Sequence, residues 1–328
     1  MAKRKTHKGL PKSKASSIQK SQLLQSLQAV DNDAAARQRV LQLETDFRQR
    51  IGAHLESLPT SNADFAKFNT NPFVLMIHSR NKGYKRISEI ESDILPAKAF
   101  SSMETSAGKM VEKVVFPVYG WEVVESEMHS PDSVLDGKKK SGDVLCLATL
   151  KSGPSCLNDE MSKDIAEDIL ANCAYWANEH NVHEIDFTYG VLYGTKKQSN
   201  KKDWHILRNI GEKLTSGKML EPPADRWWCK FRKNGVTVTV TIRIGTELWN
   251  YIGGTDSMFT ELAASIIRAC ITPSDADPED YQYQISDLPA IISMESVAAD
   301  FNVALIQRSQ LEWLFFFARH FCDELKEK

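Results

Sequence analysis

Between Val236 and Ile244 apolar and polar residues alternate without a break. Val236, Val238, Val240, Ile242 and Ile244 share one face, and Thr237, Thr239, Thr241 and Arg243 share the other. A strand over 235–245 with one buried face follows. The stretches 184–194 and 144–151 are more uniformly apolar, which is the pattern of interior strands. A helical period dominates elsewhere. Val40, Leu43, Phe47, Ile51, Leu55 and Leu58 recur at steps of three and four and predict a long amphipathic helix, stopped by Pro59 and the Thr-Ser-Asn that follows. Ile165, Ile169, Cys173 and Trp176 do the same for a helix from Asp159 to His180.

Further helices are expected over 85–95, ended by Pro96, over 102–116, with a capping box formed by Ser101 and Glu104, over 203–216 and over 257–271. A short one is expected at 246–254, closed by glycines. Residues 121–127 look like a strand. A hairpin is expected with Ser133–Leu135 outward, Asp136–Gly142 across and Val144–Lys151 back. The aromatic-rich segment 294–326 reads as helical. Strands and helices are interspersed, so the class is α/β with a central mixed sheet flanked by helices, preceded by N-terminal helices.

The chain has 328 residues, 42% of them hydrophobic and 26% charged, enough for a large core. No apolar run approaches the ~18–20 residues of a membrane span. The N-terminus lacks the apolar core of a secretory signal, and a cytoplasmic location is expected. Six scattered cysteines without a Cys-x-x-Cys pair disfavour a zinc site or a disulfide framework. The net charge of -2 conceals an asymmetry: residues 1–20 hold seven basic residues and no acidic one. They are expected to form a disordered tail with general affinity for polyanions. The remainder, 21–328, is read as one domain with an N-terminal helix (21–60), a core (101–255) and a C-terminal helical part (256–328).

The chemistry gathers around "ATLKSGPSCLND", residues 148–159. On a strand, Lys151 shares a face with Thr149, Leu147 and Leu145. A carboxylate two residues before a strand lysine is the D/E-x-K element of many nucleases, in which the acid holds a metal and the ammonium sits near the attacked phosphate. Here that position is Thr149. The partner acid on the preceding hairpin arm is Asp132, preferred over Asp136, with Asp143 a further rival. A substitute for the absent strand acid comes from Glu112 on the helix 102–116, where Gly108 one turn earlier leaves room for a ligand, or from Asp159, Glu160 or Asp164 after the turn.

The segment resembles the K-S-G-P-x-x-x-N stretch of several type II restriction endonucleases of the PD-(D/E)xK superfamily. Further likenesses follow in the order those enzymes show. "NPF" (71–73) is similar to their Asn-Pro-aromatic opening, and "SSMETSAGKMVEKVV" (101–115) to a helix whose last glutamate is Glu112. "YGVLYGTKKQSNKK" (189–202) is similar to a strand and Tyr-Gly loop, and "IRIGTELWNYIGG" (242–254) to a Gly-x-x-x-Trp element. The resemblance covers about 70–255. It implies a PD-(D/E)xK nuclease-like core that cleaves double-stranded DNA at a short defined sequence with Mg²⁺, usually as a homodimer. It also implies that Lys151 is the catalytic lysine, Asp132 or Asp136 the metal carboxylate, and Glu112 an assisting, metal-facing acid.

Phosphate neutralisation would fall to Lys138, Lys139, Lys140, Lys196, Lys197, Lys201 and Lys202, and base readout to Arg226, Lys230 and Arg232. Two other functions fit the same residues. One is a nuclease of the same superfamily serving repair or a mobile element. The other is a catalytically inert DNA-binding protein, suggested by Thr149.

Overall fold

The computed structural model describes residues 10–58, 72–127, 129–275 and 282–328. Residues 1–9 of the basic tail, the Pro59 helix stop and Asn71 lie outside them.

Three strands make the middle of a seven-stranded mixed sheet. They are β4 (Val144–Lys151), β5 (Glu184–Val191) and β8 (Val236–Ile244), all parallel. Antiparallel strands extend it on both sides. On one side lie β3 (Gly137–Ser141) and the two-residue β2 (Glu122–Val123), and on the other β7 (Trp228–Lys233) and β6 (Gly217–Glu221). The order is β2-β3-β4-β5-β8-β7-β6. The fold is therefore α/β with helices on the sheet.

Period two distributes β4 between two cores. Ala148 and Leu150 join one that also contains α4 (Glu91–Val118), α7 (Thr246–Gly253) and α8 (Met258–Cys270). Leu145 and Leu147 join the other, with α5 (Asp159–Glu179) and α6 (Lys202–Lys213). β8 buries Val236, Val238, Val240, Ile242 and Ile244 as its alternation requires. Gly137 opens β3 directly under α4. A Cβ there would fall 2.4 Å from the Phe116 ring, so only glycine lets this helix lie on the hairpin.

Several boundaries differ from the expected ones. The helix expected to start near Ser102 begins at Glu91 and runs through Pro96 and Pro117. Both prolines are exposed, where water can serve the carbonyls that the rings cannot reach. The separate helix expected over 85–95 is a 3-10 turn, Ile87–Ile90, leading into α4. Residues 121–127 contribute only β2 to the sheet. Pro72 and Phe73 start a helix, α3 (Pro72–Lys82).

The C-terminal segment is not one helical stretch. Among its described elements are α10 (Leu311–Arg319) and a strand β9 (Glu324–Lys326), which pairs in parallel with β1 (Ser17–Gln19). The chain ends thus clasp each other, which local periodicity cannot reveal. The same clasp corrects the reading of residues 10–20 as disordered. Lys20 begins α1 (Lys20–Asn32) and is fully buried, donating to the carbonyls of Ala290 and Ser293 and pairing with Glu327. The next helix, α2 (Ala34–Ser57), is the one its heptad-like pattern predicts, with Asp33 capping its first amides.

Candidate active site

Four of the quoted motifs, 101–115, 148–159, 189–202 and 242–254, meet at the C-terminal ends of β4 and β5 and the start of α7, whereas Pro72 and Phe73 of the Asn-Pro-aromatic motif lie on α3. Leu192 donates its amide to the carbonyl of Lys151 at 2.9 Å, and its own carbonyl accepts from the Trp249 indole at 2.8 Å. Asn200 donates backbone and side-chain protons to the carbonyls of Pro154 (3.2 Å) and Leu157 (3.0 Å). Asn158 caps α5 by accepting from the Met161 amide at 2.8 Å. In parallel α/β sheets this edge is where ligands bind, because the turns there leave a crevice.

Two acids reach that edge. The Asp136 amide donates to the Ala148 carbonyl at 2.9 Å, and one of its carboxylate oxygens accepts from the Leu150 amide at 2.6 Å. That double clamp fixes the carboxylate next to the position of Lys151, with the second oxygen left over. Glu112 arrives from the other side on α4. The helix touches the turn after β4 through Gly108, where a Cβ would lie 3.1 Å from Ser152 Oγ. Gly108 and Ser152 both line a cavity that also takes in Leu192, Tyr193 and Trp249. Glu112 follows one turn after Gly108.

The charges of these groups are mutually felt. Burial, and then the negative charge of Asp136, push the Glu112 carboxyl up to about 8, against the pull of Lys151, Lys109 and Lys113. Burial raises Asp136 as well, opposed by the Leu150 amide and by Lys151 and Lys109. No ion pair within 4.0 Å joins Lys151 to an acid among the described residues, and its charge is felt at both carboxyls from the end of β4. Lys109 was not singled out in the sequence. Its place three residues before Glu112, on the same side of a helix, is the signal that would have found it.

A pair of carboxylates that both resist ionisation is relieved by a proton or by a cation. The donor set fits Mg²⁺, which takes oxygen ligands, accepts as few as one or two carboxylates and keeps several waters. Among the described residues no group of three or more His, Cys, Asp or Glu side chains is placed to hold a metal. Thr149 does not extend it. That side chain is buried and its hydroxyl donates to the carbonyl of Val134.

Asp132, preferred from the sequence, is tied elsewhere. Its Oδ1 accepts from the Trp176 indole at 2.9 Å, and it is Asp136 that shares the electrostatic neighbourhood of Lys151. Asp143 lies in the hairpin turn at the far end of β4, about 25 Å of strand away. Asp159 pairs with Lys202 and His205, and Glu160 and Asp164 are exposed on α5.

Most of the expected DNA-facing cations have internal partners. Lys138 pairs with Glu122, Lys196 with Glu247, Lys202 with Asp159, and Arg226 with Glu221 while covering the Trp228 ring. Lys139 and Lys140 donate to the carbonyls of Tyr119 and His180. Lys201 donates to the Lys196 carbonyl and to Ser13 and stacks on Trp227. Lys197, Lys230 and Arg232 form no ion pair within 4.0 Å among the described residues. Lys230 and Arg232 line one face of β7, opposite Thr239 and Thr237, three strands from Lys151. Half-exposed ion pairs are worth only about 0–1 kcal/mol, so a phosphate can displace their acids.

The state of Glu112 has a measurable consequence. An acid held above its ordinary value costs stability as pH climbs, because the unfolded chain ionises first. For Glu112 the cost begins near 4.5, grows until about 8 and is constant above. Glu112→Gln removes it. In the presence of a chelator the variant is expected to match the wild type at pH 4 and to exceed it by ~1–3 kcal/mol at pH 8.5. Urea unfolding at the two pH values measures this.

Neither a protein-family model nor a curated protein matches the chain.

Proposed function

We propose that the chain is a Mg²⁺-dependent endonuclease that hydrolyses phosphodiester bonds of double-stranded DNA at defined sites, in the manner of the type II restriction endonucleases of the PD-(D/E)xK superfamily that its motifs resemble. One observation carries this reading: Asp136, clamped by the Leu150 amide at the end of a central parallel strand, lies within electrostatic reach of both Glu112 and Lys151, in the segments where the sequence resemblance is densest. Asp136 and Glu112 would hold the divalent ion. When bound, it lowers the pKa of a coordinated water and screens phosphate charge.

The chain's own groups do the rest. The Leu150 amide holds one Asp136 oxygen, so the other is presented in a fixed direction. Glu112 stands in for the acid that Thr149 lacks, and its raised pKa means that its proton leaves as the cation enters. The Lys151 ammonium, unpaired at contact distance, is available to the scissile phosphate and offsets the charge that builds there. Lys109 adds a second positive charge to the same end of the sheet. Lys197, Lys230 and Arg232 are the cations most ready to meet the duplex, and the paired lysines can exchange partners on binding. Two strands need two such ends, hence two copies of the chain. This reading puts the activity in the cytoplasm. Among the described residues no helix is long and apolar enough to cross a membrane.

The test is incubation of unmodified phage DNA with the protein and Mg²⁺. Discrete fragments are expected. Smearing or random nicking points instead to a superfamily nuclease of another role. The occupied hydroxyl of Thr149 favours one alternative, a DNA-binding protein without activity. Metal-independent gel shifts with no cutting would establish that alternative and remove the nuclease.

A further inference from the structure

The proposed chemistry leaves the cavity beside the turn after β4 unused. It encloses about 610 Å³, which is the size of a small-molecule site and far beyond the voids of a packed core. Glu104 and Gly108 line it from α4, and Glu112 follows at the same four-residue step, so cavity and acid share one stripe of that helix. Ser152, next to Lys151, lines it from the end of the sheet. Aromatic rings make much of the wall. Trp249 and Phe321 are buried, whereas Tyr193 and Phe316 are 45% and 37% exposed. Gly153 lets the Tyr193 ring lie close over the turn: a Cβ there would fall 2.8 Å from the phenol oxygen. Phe316 packs edge-on against His320, with ring centroids 5.0 Å apart.

The polar groups on this wall have no use within the fold. The Ser152 and Tyr193 hydroxyls and the Glu104 carboxylate make no hydrogen bond among the described residues. His320 donates from Nδ1 to the Phe316 carbonyl at 2.9 Å, which leaves Nε2 an acceptor in the neutral ring. Hydroxyls that both donate and accept, further acceptors and exposed ring faces suit a flat heterocycle with donors and acceptors along its edge. An acyl chain would leave every one of those polar groups unanswered.

We propose that this cavity is a binding site for a nucleobase, with Tyr193 and Phe316 offering ring faces and Ser152, Glu104 and His320 meeting its polar edge. The base arrives either in a nucleotide extruded from DNA or as a free nucleoside, and its recognition is chemically the same. Only the first source rests on the nuclease reading.

Two measurements on the full chain test the site. In equilibrium dialysis against labelled adenosine, guanosine, cytidine and thymidine, at least one nucleoside is expected to bind. In gel shifts with Ca²⁺, a duplex with one unpaired extra nucleotide is expected to bind about tenfold more tightly than its fully paired counterpart, because no base pair has to be opened. Tyr193→Ala and Phe316→Ala are each expected to weaken nucleoside binding about fivefold or more and to abolish the gain from the extra nucleotide, with far-ultraviolet dichroism unchanged. Tyr193→Phe keeps the ring and is expected to stay within about threefold of the wild type. Nucleoside binding without a gain from the extra nucleotide assigns the site to free nucleosides, and a gain that Tyr193→Ala abolishes assigns it to DNA. The proposal is overturned when no nucleoside binds and the two duplexes bind alike, when both alanine variants bind as the wild type does, or when only the apolar probe 1-anilinonaphthalene-8-sulfonate occupies the cavity. A chain that binds the base here and never cuts DNA keeps the site and loses only the nuclease reading.

Discussion

Lys151→Ala is expected to slow DNA cleavage by about 10²–10³-fold while leaving DNA affinity within roughly tenfold of the wild type. The two effects separate for a physical reason. Binding sums many phosphate contacts, and the loss of one costs little. The chemical step concentrates charge on one phosphate, and the charge of Lys151 bears on the two acids proposed to hold the metal there. Its ammonium is not consumed by an ion pair within 4.0 Å among the described residues, so removing it leaves no acid newly orphaned at contact distance, and the variant should fold. Single-turnover cleavage and gel shift on the same oligonucleotide measure both quantities. A variant that cuts like the wild type takes Lys151 out of the mechanism.

Asp136→Asn and Asp132→Ala should behave oppositely. The asparagine keeps an oxygen for the Leu150 amide, so the β3–β4 hairpin is preserved, but the charge that would hold the cation is gone. Cleavage is expected to fall by about 10³-fold, and the Mg²⁺ needed for half activity to rise. Asp132→Ala removes the acceptor of the Trp176 indole. It should cost ~0.5–1.5 kcal/mol of stability and leave the cleavage rate within about twofold. Titrating Mg²⁺ against rate, with urea unfolding alongside, distinguishes the two. Loss of cleavage in Asp132→Ala with wild-type rates in Asp136→Asn would reverse the assignment.

The contrast between these two aspartates shows where sequence reading reaches its limit. Strand β8 was legible residue by residue, because burial on one face writes itself as alternation. Helix α5 was legible to within a residue at each end from its period. The returning strand Val144–Lys151 was legible, but the outward arm was not: it is Gly137–Ser141, inside the stretch expected to cross, rather than Ser133–Leu135. Once Gly137 is opposite Ala148, Asp136 must lie beside the end of β4, and Asp132 falls back toward α5. Register is fixed by Gly137 fitting under Phe116, a contact between elements that no local pattern encodes. The start of α4 was missed because a proline normally ends a helix, and only exposure tells when it does not. The β1–β9 clasp was missed because its partners come from opposite ends of the chain. Thr149 was recognised as a departure, but its engagement with Val134 required the folded hairpin.

The account turns on a divalent ion held between Asp136 and Glu112 beside Lys151. Crystals of the wild type soaked in Mn²⁺ and measured at the manganese absorption edge test it most directly. An anomalous peak within ligand distance of both carboxylates is expected, and it should vanish in Asp136→Asn. A peak at Asp132 or another acid, with none between Asp136 and Glu112, contradicts the account.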